Sequence, residues 1–427
     1  MTGDGAAETI EQVNRLVDKY FSRDPASFSV PKGRLPLVVP SYGPEEVKEA
    51  VEALLTSYVT MGAKVRQFEE AWSQYLGSRS SIMVNSGSSA NLLALFAAAN
   101  PHTRGRLMPG DEVLVPAMCW STTVYPIVQA GAIPVLVDVD PQTLTMDPQA
   151  ARAALTDKTR AIMPVHLLGN AADMRELSRL ADERDLWLIE DCCEAHGTTI
   201  DGRKVGTFGD LGTYSFFFSH AITTIEGGAI NTDDDDLAEL LRPLRAHGWI
   251  REMKTREAIA ARHPNVDPRF FFVNVGFNVR PTDLQGGFGI HQVRKLESFV
   301  EARRRYAHAI TKGLSRHASV LELPTERPGT RHSYFTYPVI VREGARFRKE
   351  DLMRHLEAHG VETRPIISGN FAEHPAFGLL PARVAGSLPA ASHAHRDGFL
   401  FGAHHRFGEE QARYVVECFD SFLRKQD

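Results

Sequence analysis

Cysteine is scarce in this sequence. Only four occur among 427 residues, Cys119, Cys192, Cys193 and Cys418, and none has CxxC spacing. A disulfide framework or a local zinc site is therefore not expected. Long hydrophobic runs are missing too: no stretch approaches the ~20 apolar residues that span a bilayer. Neither sign of charge dominates, with 48 basic against 53 acidic side chains and a formal net charge of −5. That balance argues against nucleic acid or an anionic membrane surface as the main partner. The opening MTGDGAAETIEQ is small, polar and acidic, unlike a signal or transit peptide. The sequence has no internal repeat and no low-complexity tract. These absences together point to a reduced cytoplasm.

What is there reads as an ordinary globular protein, 43% hydrophobic and 24% charged. At about 150 residues per domain the length suits two or three domains. Short apolar runs at 81–84, 112–115, 133–139, 161–165, 186–189, 213–217 and 229–231 read as strands. Between most of them lie helical patterns such as NLLALFAAA, PQAARAAL and DMRELSRLADERD. Such alternation predicts an α/β fold with a mostly parallel sheet wrapped by helices. Asp233–Asp236 reads as the acidic opening of a helix rather than as a charged tail. After residue 290 the texture changes to a long charged helix, strand-like HSYFTYPVIV, amphipathic RKEDLMRHLEAHG, a strand VETRPI and a last helix. That predicts a smaller α+β domain over 291–427, a large domain over 39–290 and an N-terminal arm over 1–38 packing on something else, such as a second subunit.

In open α/β sheets ligands sit beyond the carboxyl ends of the strands, and four features fall there. Asn85-Ser86-Gly87-Ser88-Ser89-Ala90-Asn91 is either a phosphate cradle at a helix start or a Ser/Asn-capped turn. Asp191 follows a buried strand, where an acid needs a positive partner such as a protonated ring nitrogen, or serves as a helix cap. Trp120 stacks on a flat ring or belongs to the core. Ser215-Phe-Phe-Phe-Ser-His220, followed by Glu226-Gly-Gly, combines a hydroxyl, an imidazole and a glycine turn. His220 is a general acid–base or a structural histidine.

Taken in order, these motifs resemble fold-type-I pyridoxal-phosphate enzymes of the nucleotide-sugar aminotransferase (DegT-type) family. The resemblance covers roughly residues 38–425 and includes TMGAKVRQFEE, VNSGSSANLLAL, PAMCWSTTVYP, LIEDCCEAHG and GFNVRPTDLQGGFGIHQVRKL. Aminotransferases of this family carry a Schiff-base lysine where this sequence has His220. The chain therefore resembles the lysine-less subgroup of 4-keto-6-deoxyhexose 3-dehydratases. One type in that subgroup holds an iron–sulfur cluster on cysteines after the EGG strand; residues 194–417 here contain no cysteine. The similarity is to the cluster-free type acting on GDP-4-keto-6-deoxymannose, which often has a second histidine where this sequence has Ala221.

The resemblance implies pyridoxal or pyridoxamine phosphate held without a covalent link. Gly87, Ser88 and Ser215 are expected at its phosphate, with Asn278 reaching in from the second subunit of a homodimer. Trp120 is expected over the ring, Asp191 at the ring nitrogen, and Glu194 near the ring hydroxyl or the reacting nitrogen. His220 is the expected base and acid that removes a proton and expels the C3 hydroxyl of a nucleotide-linked 4-keto-6-deoxy sugar. Glutamate is the expected donor that restores the amine. His247, Trp249, Arg251 and Arg364 are candidates for the nucleotide sugar or the donor carboxylate, or else packing and surface residues. No metal is expected. A lysine-free transaminase, a cluster-dependent dehydratase and a non-catalytic cofactor-binding relative stay open as alternatives.

Overall fold

The computed structural model describes residues 3–22, 28–55 and 59–426. Strands β1 (Ser80–Val84), β2 (Glu112–Pro116), β3 (Ile133–Val137), β4 (Thr159–Ile162), β5 (Trp187–Asp191), β6 (Leu211–Ser215) and β7 (Gly228–Thr232) arise where the apolar runs predict them. With the short strand Arg383–Val384 they form an eight-stranded sheet in the order β1-β7-β6-β5-β4-β2-β3-Arg383–Val384. Neighbours from β6 through β5, β4, β2 and β3 to Arg383–Val384 are parallel. Strand β7 runs antiparallel between β1 and β6.

The strands are almost wholly buried because helices cover both faces. Alternation sends Val113 and Val115 into one hydrophobic cluster and Leu114, between them, into the other. A smaller C-terminal α+β part has a four-stranded antiparallel sheet, ordered Leu321–Glu322, Thr336–Val341, Gly398–Gly402, Thr363–Pro365. Helices Lys349–Ala358 and Glu409–Leu423 cover it.

Several boundaries differ from the sequence reading, among them 133–139, which ends at Val137, and 161–165, which is Thr159–Ile162; two others bear on the site. The long helix starts at Asp283, not after residue 290, because Thr282 caps it and exchanges hydrogen bonds with Gln285. Its Leu296 and Val300 pack under the large sheet, whereas Tyr306, Ile310 and Leu314 pack in the C-terminal core, so one helix ties the two together. Strand β6 ends at Ser215 rather than at Phe217, since its last pairing is Ser215 with Gly228.

The acidic run behaves as predicted: Asp234 caps helix Asp235–Arg245, accepting from the N–H groups of Asp236 and Leu237. Within the expected arm, residues 1, 2 and 23–27 lie outside the described residues. Helix Gly3–Phe21 rests on helix Pro44–Leu55, with Asp18 paired to Lys48 at 2.6 Å. Leu35 packs on this chain's own C-terminal part, its N–H donating to the Gly360 carbonyl at 2.8 Å. Among the described residues no helix is long and apolar enough to cross a membrane.

Candidate active site

The carboxyl ends of β1, β2, β5 and β6 open into one cavity of about 430 Å³, lined by Gly87, Ser88, Trp120, Asp191, Glu194, Ser215 and His220 among others. That volume suits a cofactor-sized ligand. Of the two readings the sequence left open for the turn after β1, the capped turn is observed, and the turn lines the cavity. Ser86 caps helix Gly87–Ala98, accepting from the Ser89 N–H, and Gly87 and Ser88 of the first turn line the cavity. Gly87 is required there, because a Cβ would fall 2.4 Å from that of Ser215. Gly228 is required for the same reason, with a Cβ position 2.3 Å from the Ser86 carbonyl oxygen.

Asp191 ends β5 and is 3% exposed. Its Oδ2 accepts from Asn91 Nδ2 at 2.9 Å and from the Thr123 hydroxyl at 2.8 Å, while Oδ1 accepts from the Cys193 N–H at 3.1 Å. Thr213 donates to Asn91 Oδ1 at 2.6 Å, which fixes the amide so that its NH2 faces the carboxylate. Trp120 is no core residue: it is 59% exposed, with its ring on the cavity wall. Glu194 accepts from the Leu168 N–H at 2.7 Å. Burial, with the Asp191 charge nearby, lifts its pKa to about 7.

His220 sits in the turn after β6 as a half-buried ring packed on Phe335, centroids 5.2 Å apart. Burial, then the charge of Arg303, pushes its pKa down to about 3, so it is neutral at physiological pH. Its Nδ1 is buried without a partner, which leaves Nε2 for the cavity. The turn is pinned from behind: buried Gln292 accepts from the Thr223 N–H at 3.1 Å, and Gln285 donates to the Glu226 carbonyl at 2.6 Å. Ile225, between these anchors, has a left-handed φ of 72°. Glu226 also lines the cavity, and burial raises its pKa.

Matches to known proteins now bear on this geometry. A sequence model described as the DegT/DnrJ/EryC1/StrS aminotransferase family matches residues 40–420. The chain belongs to that family. Among its relatives, a Yersinia pseudotuberculosis GDP-4-keto-6-deoxy-D-mannose 3-dehydratase is 36% identical, over 86% of this chain and 94% of the relative. A Saccharopolyspora spinosa dTDP-4-dehydro-2,6-dideoxy-D-glucose 3-dehydratase is also 36% identical, over 88% and 83%. A solved structure of GDP-4-keto-6-deoxymannose-3-dehydratase with a trapped PLP-glutamate geminal diamine superposes with a TM-score of 0.85 at 34% identity, covering 90% of this chain and 99% of that one. The fold is that of fold-type-I pyridoxal-phosphate enzymes, as the resemblance implies.

Not every expected residue of this family member meets the cavity of its own chain. Asn278 does not line it; its side-chain oxygen accepts from Arg280 Nε at 3.0 Å. Trp249 stacks on Phe270, and Arg251 lies over the Trp249 ring at 5.2 Å. His247 turns away in a left-handed φ of 63°, and Arg364 pairs with Glu362 at 2.7 Å. Sequence reasoning missed Thr123, Thr213 and Gln292, and it placed Asn91 only in the candidate phosphate turn, not as a partner of Asp191. Asn91 did carry a signal, as the one amide opening an apolar helix. His166, Glu190 and Cys192 bring metal-ligand types together. Their atoms are already used: His166 Nδ1 accepts from Ala172 N, and Glu190 accepts from the N–H groups of Gly206, Phe208 and Gly209.

Proposed function

We propose that this protein is a pyridoxamine-phosphate-dependent dehydratase that removes the C3 hydroxyl of a nucleotide-linked 4-keto-6-deoxyhexose, giving a 4-keto-3,6-dideoxy sugar. One observation carries the reading: among the described residues the cavity wall presents the imidazole of His220 and no lysine. An imidazole moves protons but forms no imine with an aldehyde. The dehydratase relatives at 36% identity support the same reaction class.

The residues fit the cofactor. The Gly87 cradle, kept open by the missing Cβ, offers backbone N–H groups of Gly87 and Ser88 and the Ser215 hydroxyl to a phosphate. Asp191, held by Asn91, Thr123 and the Cys193 N–H, is oriented to keep a ring nitrogen protonated. The exposed face of Trp120 is a stacking surface. Glu194, with its pKa near 7, exchanges a proton at the ring hydroxyl or the reacting nitrogen. When bound, pyridoxamine phosphate supplies an amine that condenses with the 4-keto group and a ring that accepts the electrons released next to it. Neutral His220 takes the proton at Nε2 and delivers it to the departing C3 oxygen, so one group serves as base and acid. Without a lysine, phosphate contacts, stacking and Asp191 hold the cofactor non-covalently.

Glutamate is the donor proposed to restore the amine, a role favoured by the glutamate adduct in the related structure. A homodimer is the proposed assembly. Asn278 does not line its own cavity, and Trp120 and Phe217, which do, leave apolar surface exposed there. His247, Trp249, Arg251 and Arg364 would then act on nucleotide sugar or donor carboxylate across that interface. Cytoplasm is the proposed compartment, in keeping with four free thiols.

The test is incubation with GDP-, dTDP- and CDP-linked 4-keto-6-deoxy sugars, pyridoxamine phosphate and glutamate, followed by mass spectrometry. Loss of water with release of ammonia is expected. An amino-sugar product would instead identify a transaminase.

A further inference from the structure

Behind His220, away from the cavity, buried polar groups gather that the reaction as described does not use. His196 is fully buried, five residues beyond Asp191; neither ring nitrogen makes a well-formed hydrogen bond, although the Ser215 backbone lies close enough to act on the ring. Its ring is enclosed by Trp72, Tyr214 and Phe216, with centroids 5.9, 5.4 and 5.5 Å away, and on the remaining side by His220 at 5.8 Å. Arg303 arrives from the long helix, 2% exposed. It donates through Nη1 to the carbonyls of Phe335 at 2.8 Å and Ala403 at 2.5 Å, and its Nε has no partner. His220 completes the group with its own unpartnered Nδ1.

Buried polar atoms in folded proteins are almost always hydrogen-bonded, to protein or to internal water. Three residues with orphaned nitrogens in one layer are therefore more informative than any one of them. Rings with centroids 5.8 Å apart are too distant for a good direct N–H···N bond, whereas one bridging water could reach a nitrogen of each. Such a water has the two to four polar partners that buried waters need.

We propose that a buried water joins His220 Nδ1 to His196, making His196 a positioning residue that fixes the tautomer of His220. The water accepts the proton of Nδ1–H and donates to a lone pair on His196. That leaves Nε2 of His220 unprotonated toward the cavity, as a base requires. Arg303 keeps both rings neutral, since its buried charge disfavours an imidazolium on either. The bridge stands on geometry alone; its catalytic consequence rests on the reading of His220 as the proton-transfer group.

The test begins with 15N-histidine-labelled full-length protein loaded with pyridoxamine phosphate, with no sugar present. His220 signals are assigned by their loss in His220→Asn. The expected spectrum shows Nδ1–H and a bare Nε2 at neutral pH. His196→Phe keeps the ring volume and removes both nitrogens, so the tautomer preference should disappear. The dehydration kcat should fall about tenfold, short of the ~10²–10⁴-fold for a lost general acid–base, with KM for the sugar within about twofold. His196→Gln, which still accepts from water, should recover most of the rate. An Nε2–H tautomer in the unsubstituted protein overturns the proposal, as does an unchanged tautomer in His196→Phe. Should His196→Phe not fold, the unsubstituted spectrum decides alone. If the tautomer is as expected and no sugar loses water, the dehydratase reading fails while the bridge stands.

Discussion

Asn91 and Asp191 lie 100 residues apart in sequence and are joined by a 2.9 Å hydrogen bond at the floor of the cavity. The amide donates to the carboxylate oxygen that also accepts from Thr123, and Thr213 holds the amide in that orientation. The carboxylate at the end of β5 thus stays buried and aimed, with no ion-pair partner among the described residues. A cationic ring nitrogen is the partner this arrangement lacks.

Replacing Asn91 by Ala removes one of three hydrogen bonds to Asp191 and leaves the Thr213 hydroxyl only the Glu190 carbonyl, at 3.2 Å, to donate to. Hydrogen bonds to charged groups contribute ~1.5–3 kcal/mol, so pyridoxal phosphate should bind about tenfold or more weakly. Fluorescence titration with the cofactor measures this; unchanged affinity would mean that the carboxylate does not need the amide.

Gly87→Ala should damage both fold and site. Its Cβ would lie 2.4 Å from that of Ser215 and 3.0 Å from Cys193 Sγ, and the Ser215 Cβ belongs to the last residue of a buried strand. Overpacking of this kind costs about 1–3 kcal/mol. Denaturant unfolding should show the loss, and Ser215→Gly in the same chain should recover part of it. Equal stability of Gly87→Ala and the parent would contradict the packing described.

Acid should destabilise the protein earlier than carboxylate chemistry alone dictates. Burial pushes His220, His332 and His405 down to about 3, and lowers His196 and His404 well below their ordinary value. Unfolded histidines titrate at about 6.5. Between about pH 6.5 and 3 the unfolded chain therefore binds protons that the folded chain refuses, and stability falls as pH drops. Above that window these residues contribute no pH dependence. Glu194 opposes the trend: its raised pKa of about 7 makes the folded chain bind a proton first, stabilising it as pH falls through 7. Glu226 and Asp210, also raised by burial, act the same way, and three carboxylates against five histidines do not reverse the sign. Urea midpoints at pH 7.5 and 5 test this, and equal midpoints would count against it.

His220→Lys should convert non-covalent into covalent cofactor binding. The lysine amine would stand on the cavity wall, within the turn that Gln285 and Gln292 pin. Borohydride reduction of the pyridoxal-phosphate-loaded variant should attach the cofactor to the chain, while the parent protein stays unlabelled. Labelling of the parent at any residue near 220 would overturn the non-covalent reading.

Much of the site was legible before the structure because its pieces lie at strand ends. LWLIED ends in Asp191 and VNSGSSAN turns into a helix, so the α/β order alone brings them to one edge of the sheet. Trp120 was undecided because sequence does not distinguish a ring exposed on a cavity wall from one in a core. The roles of Asn91, Thr123 and Gln292 escaped because the partners that make them matter lie 100, 68 and 69 residues away. The long helix was placed late because its charged surface begins at His291, although Thr282 and Gln285 already formed a capping pattern. The chemistry proposed for His220 comes from the family resemblance, since a histidine in a turn is ordinary by itself.

The central claim is that His220 carries the proton steps that expel the C3 hydroxyl, and His220→Asn tests it most directly. Asparagine retains polarity in the same turn but cannot act as a base. With a substrate sugar, pyridoxamine phosphate and glutamate, the rate of water loss read by mass spectrometry should fall about 10²–10⁴-fold. Cofactor affinity, carried by Gly87, Ser88, Ser215 and Asp191, should stay unchanged. A His220→Asn protein that removes the C3 hydroxyl at a near-normal rate would show that His220 is structural and that another group moves the proton.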